Sequence, residues 1–139
     1  EDIIHPCGFY KNKAKNIKLC AKQVLENFNG IVPHTMKELI SLAGVGRKSA
    51  NVIMLEVFGI AECVAVDTHA KRISHLNGLS KEKEPEKIEK DLLKTFPKEC
   101  WKDLNHLFVW HGRNVCIARN PKCNICPISS LCKFAKSKE

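Results

Sequence analysis

Apolar residues in this chain recur at helical spacing nearly from end to end, and no segment alternates apolar and polar in the manner of a strand. Glycine and proline break that period at short intervals, so a series of short helices is the form open to it. Ile17, Ala21, Val24, Leu25 and Phe28 line one helix that ends near Asn29-Gly30. Met36, Leu39 and Ile40 make a short helix capped by Thr35, which stops at Leu42-Ala43-Gly44-Val45-Gly46. The next starts at once, with Ala50, Ile53, Val57 and Phe58 inward, and ends at Gly59. Asp67 or Thr68 caps a fourth, which carries Ala70, Ile73 and Leu76 as far as Asn77-Gly78. Pro85 opens a fifth, whose buried stripe is Ile88, Leu92, Leu93 and Phe96. A last long helix, from about Glu99 to Val115, turns Trp101, Leu104, Phe108 and Val115 inward. Beyond Cys116 the tail reads as a loop held by its cysteines. The fold class is all-α.

At 139 residues with 44% apolar and 27% charged, the chain is long enough to bury a core and is not a disordered tail. No stretch approaches the roughly 20 apolar residues of a membrane helix. The N-terminal Glu1-Asp2-Ile3-Ile4-His5-Pro6 has no secretory pattern, and it lacks an initiator Met, so residue 1 is not expected to be the start of the gene product. The 23 Lys and Arg exceed the 15 Asp and Glu, for a net charge of +8. Lys11, Lys13, Lys15, Lys18 and Lys22 form one acid-free run, and Arg113, Arg119, Lys122, Lys133, Lys136 and Lys138 another cluster near the C-terminus. Two basic ends around a balanced middle suggest polyanion contact at two places, although a merely soluble basic surface is an equal reading.

The segment Leu42-Ala43-Gly44-Val45-Gly46-Arg47-Lys48-Ser49-Ala50 is a tight hairpin between two helices. Its two glycines let the backbone turn sharply and approach another chain closely. Amides at the start of the second helix can then hold a phosphate, with help from the helix dipole. Such a grip uses backbone atoms and reads no base sequence. Lys48 lies in that helix's first turn, where the dipole and Arg47 both favour a neutral amine, and a neutral amine can attack C1′ of a sugar to form a Schiff base. Asp67 could serve as a carboxylate that orients and deprotonates, or act only as an N-cap. Lys48 could equally be a solvated or phosphate-contacting lysine.

The eight cysteines fall into two groups. Cys7, Cys20, Cys63 and Cys100 are scattered, whereas Cys116, Cys123, Cys126 and Cys132 form C-x6-C-x2-C-x5-C. Four thiolates at this density suit a tetrahedral zinc or an iron–sulfur cluster, and the single C-x2-C pair leans toward the cluster. The loop between Cys116 and Cys123 would hold Arg119 and Lys122 at a fixed place. So many cysteines without an export signal suit a reducing compartment.

Together these residues resemble the endonuclease III family of DNA glycosylases with an associated lyase activity. The resemblance runs through Cys7-Gly8-Phe9-Tyr10, a helix over 14–28, the hairpin, Val66-Asp67-Thr68-His69, Trp110-His111-Gly112-Arg113 and the four cysteines, and so covers nearly the whole chain. It implies a helix-hairpin-helix glycosylase architecture over 1–110 and an iron–sulfur segment over 111–139, with the family's N-terminal helices missing and apolar surface consequently exposed. It further implies Lys48 as nucleophile, Asp67 as its carboxylate partner, and Cys116, Cys123, Cys126 and Cys132 as ligands of a [4Fe–4S] cluster. Gly44, Val45, Gly46 and Arg47, together with Arg119 and Lys122, would hold DNA, and Phe9 before Tyr10 looks like the family's apolar wedge. The expected function is base-excision repair on double-stranded DNA with damaged or abasic sites. Oxidised pyrimidines are removed and the strand is cut by β-elimination, in a cytoplasmic, nucleoid-associated monomer. The competing readings are an adenine-mismatch glycosylase, against which Lys48 speaks, a non-catalytic DNA-binding fragment, and a zinc scaffold.

Overall fold

The computed structural model of the chain describes residues 1–138. Among the described residues seven α-helices follow in order: α1 (Tyr10–Phe28), α2 (Met36–Ser41), α3 (Arg47–Phe58), α4 (Thr68–Asn77), α5 (Pro85–Thr95), α6 (Trp101–Asn114) and α7 (Lys133–Lys136). Single 3-10 turns occupy Asp2–Ile4, Lys98–Cys100, Cys123–Ile125 and Ser129–Leu131, and no strand occurs among the described residues. The chain forms two compact units, Glu1–Ile60 and the remainder from Ala61, so the division falls inside the longer of the two regions expected from the sequence.

In the first unit, Leu39, Leu42, Ala50 and Met54 form a small buried core, with Cys20, Val24, Phe28, Ile53 and Ile60 packed on it. Cys20, Val24 and Phe28 repeat every four residues and so make one seam down α1. Ile17 and Leu25 were expected on that seam but are exposed, because the apolar stripe of α1 is wider than the face that α2 and α3 cover. The same narrowness leaves Ile40 and Val57 outward, while Phe58 lies against the His34 ring. The buried face of α3 is Ala50, Asn51 and Met54 instead. Thr35 caps α2 as expected, its hydroxyl oxygen accepting from the Glu38 N–H at 3.3 Å. Helix α1 begins at Tyr10, ahead of the expected start near 14, and Phe9 is its N-cap residue.

In the second unit, Val64, Ala70, Ile73, Ile88, Leu92, Leu104 and Phe108 form a larger core, closed by Leu93, Phe96 and Trp101 among others. Fully burying a Val, Leu, Ile or Phe side chain stabilises by about 1.5–3 kcal/mol. Asp67 caps α4, and Gly78 ends it in the left-handed conformation, φ 81°. The Trp101 indole donates to the Phe96 carbonyl at 2.9 Å, which satisfies its one polar atom. The tail after α6 is not wholly irregular: two 3-10 turns and the short α7 carry it.

Candidate active site and metal centre

The hairpin between α2 and α3 is closed by backbone hydrogen bonds from Leu42 N to Leu39 O and from Val45 N to Leu42 O, both 3.1 Å. Its two glycines do different work. Gly44 takes φ 79°, and a Cβ there would lie 2.9 Å from the Cβ of Asn16 on α1. Conformation and space both demand glycine at that position. Gly46 takes φ −90°, which any residue adopts, and a Cβ there would meet nothing within 4 Å. This chain's own packing therefore gives no reason for glycine at 46. No side chain caps α3 at Gly46, so its first-turn N–H groups face outward without a capping oxygen. Arg47 and Lys48 occupy that turn and are exposed, and Lys48 makes no hydrogen bond or ion pair among the described residues.

Two polar residues of α1 that carried no motif support the hairpin. Gln23 accepts from the Ala43 N–H at 2.7 Å and donates to Ser41 O at 3.5 Å, while Asn16 fills the space that Gly44 leaves. Periodicity cannot flag them, because it registers apolar residues only. Ahead of α1, Phe9 is 85% exposed at φ 58°. That left-handed conformation costs about 1–2 kcal/mol for a residue with a Cβ. Exposure and strain thus coincide at one aromatic ring.

In the second unit, Asp67 Oδ1 accepts from the Ala70 N–H at 2.8 Å. The cap uses one carboxylate oxygen, and the other has no hydrogen-bond partner among the described residues. Lys48 belongs to the first unit and Asp67 to the second. Arg119 and Lys122 are exposed in the loop after Cys116, which the bond from Lys122 N to Val115 O (3.0 Å) folds back.

None of the eight cysteines is in a disulfide. Of the C-terminal four, Cys132 is buried and Cys116, Cys123 and Cys126 are half-buried. Burial pushes the Cys116 thiol above its ordinary range, Arg72 opposes this, and Cys132, Cys126 and Cys123 add to the rise. Among the described residues, no three His, Cys, Asp or Glu side chains gather closely enough to hold a single metal ion. By the chemistry of its donors, an all-cysteine set fits an iron–sulfur group. The Cys126 sulfur also lies 3.8 Å from His111 Nε2, and burial together with Arg72 holds that imidazole below its ordinary range.

Residues 1–98 match the HhH-GPD superfamily of base excision DNA repair proteins, and residues 116–132 match the iron–sulfur binding domain of endonuclease III. Endonuclease III of Synechocystis sp. is 45% identical over 137 residues, and that of Bacillus subtilis is 40% identical over 137. This chain belongs to the endonuclease III family. Its cofactor is the [4Fe–4S] cluster that the C-terminal segment binds. The two alignments take in 99% and 98% of this chain but 63% and 62% of the relatives, so the chain spans less than two thirds of their length. Its fold superposes with a TM-score of 0.91 and 39% identity on a trapped endonuclease III–DNA covalent intermediate, over 97% of this chain and 63% of that one. No helix among the described residues is long and apolar enough to cross a membrane.

Proposed function

We propose that this chain is the catalytic part of a base-excision repair enzyme, a DNA glycosylase with lyase activity that works through a lysine Schiff base. The observation that carries the proposal is the start of α3. An uncapped helix N-terminus offers its amides beside a glycine that the chain's own packing does not require, and Lys48 stands unpaired in the same turn. A backbone phosphate of double-stranded DNA fits against Gly44, Val45, Gly46 and Arg47. Arg119 and Lys122 give a second phosphate contact, and exposed Phe9 enters the space left by a flipped nucleotide.

The Lys48 amine attacks C1′ as the glycosidic bond breaks, and the base leaves with a proton. The sugar ring opens and the nitrogen is left as an imine. Asp67, through its unpartnered carboxylate oxygen, accepts protons, and loss of the C2′ proton then expels the 3′ phosphate by β-elimination. Holding the amine over C1′ supplies most of the proximity advantage. Cys116, Cys123, Cys126 and Cys132 would hold the cluster, whose role there would be to tie down the loop that carries Arg119 and Lys122. Oxidised pyrimidines are the substrate class, and the enzyme acts as a monomer in the cytoplasm, at the nucleoid in a prokaryote. The covalent DNA intermediate of the related solved structure supports the reading.

The test is borohydride trapping on a duplex with one abasic site. A covalent complex that vanishes in Lys48→Ala is expected. Salt-sensitive binding with no adduct would reduce the chain to a non-catalytic DNA-binding module.

A further inference from the structure

His111 and Arg72 approach the cysteine segment from two different helices. The His111 carbonyl accepts from both Val115 N (2.9 Å) and Cys116 N (2.7 Å), which fixes its backbone at the end of α6. Arg72, on α4, donates through Nη2 to Gly112 O at 3.1 Å and Cys116 O at 2.6 Å. The residue between these groups can only be small: a Cβ on Gly112 would lie 2.5 Å from His69 Nδ1 and 3.1 Å from Arg72 Nη2. The backbone that follows the His111 side chain is thereby held, and its Nε2 lies 3.8 Å from Cys126 Sγ.

We propose that His111 is a positioning residue that tunes the iron–sulfur cluster, with its Nε2–H donating to the Cys126 sulfur while Arg72 locks the turn that aims it. The inference rests on the reading of Cys126 as a ligand. A ligating thiolate carries no proton and can only accept, so the imidazole is the donor. Hydrogen bonds to ligating sulfurs draw electron density from a cluster and stabilise its more reduced, more negative state. The measured couple moves one electron into or out of the cluster and changes no covalent bond of His111.

The experiment is protein-film voltammetry on the cluster-loaded protein, with iron and the absorbance near 400 nm quantified on the same samples. His111→Leu removes the donor at similar volume, and His111→Gln keeps an N–H donor. The expected result is a shift to more negative potential in His111→Leu that is largely restored in His111→Gln, at unchanged iron content. Equal potentials in all three proteins, or equal shifts in both variants, would overturn the tuning role and leave the ligand assignment standing. Unsubstituted protein that holds no iron would overturn both. If His111→Leu loses its cluster, unsubstituted protein labelled with 15N-histidine decides. Pulsed EPR is expected to show coupling between the paramagnetic cluster and one imidazole nitrogen, and its absence overturns the proposal.

Discussion

Two glycines one residue apart carry opposite obligations, and substitution separates them. Gly44→Ala forces a Cβ into the left-handed region and against Asn16, so it is expected to destabilise the first unit by about 1–3 kcal/mol, read as a fall in denaturation midpoint. Gly46→Ser meets no obstruction and supplies the N-cap hydroxyl that α3 lacks. Its thermal stability should hold or rise while affinity for an abasic duplex falls, because the hydroxyl competes for the amides that would take the phosphate. Equal affinity in a titration of that variant would remove the amides from the DNA contact. Asp67 divides in the same way. Asp67→Asn keeps a capping oxygen and should leave the melting temperature in place while strand cleavage drops, whereas Asp67→Ala should also cost about 1 kcal/mol of stability.

Among the elements, the helices were legible where their ends carry chemistry and less so along their faces. Thr35, Asp67, Pro85, Gly59 and Gly78 stand at the ends the sequence marks, because caps and turns are local. The faces of α1 and α3 are set by how much of each stripe a short neighbour covers, and no local pattern encodes that. Asn16, Gln23 and Arg72 were invisible for the same reason: each acts on backbone or glycine far along the chain. Helix α5 shows how unequal its two sides are. Ile88 is wholly buried, and Ile88→Ala should destabilise by about 2–5 kcal/mol in chemical denaturation. On the outer side, the Lys87 ammonium 3.2 Å from Glu84 holds that carboxyl below its ordinary range. A lowered carboxylate stabilises at neutral pH and loses its contribution in acid, but both groups are exposed and solvent screens them. Glu84→Gln should leave the melting temperature unchanged.

For the molecule as a whole, the balance of charge and apolar surface matters more than any one contact. Ile17, Leu25, Ile31, Val57, Leu107 and Trp110 are all exposed to water. Strong enhancement of a hydrophobic dye under native conditions is the expected result, and a sharp melt without dye binding would count against these faces being open. The net charge of +8 predicts DNA binding that weakens steeply with salt. The hairpin adds a consequence for how such a chain drifts over generations. Its hold on a phosphate would belong to peptide N–H groups, which almost every amino acid brings with it, so side chains around it are free to change. Inherited loss of that hold should then concentrate at the two glycines and at the α1 residues that prop them, while the basic residues nearby come and go.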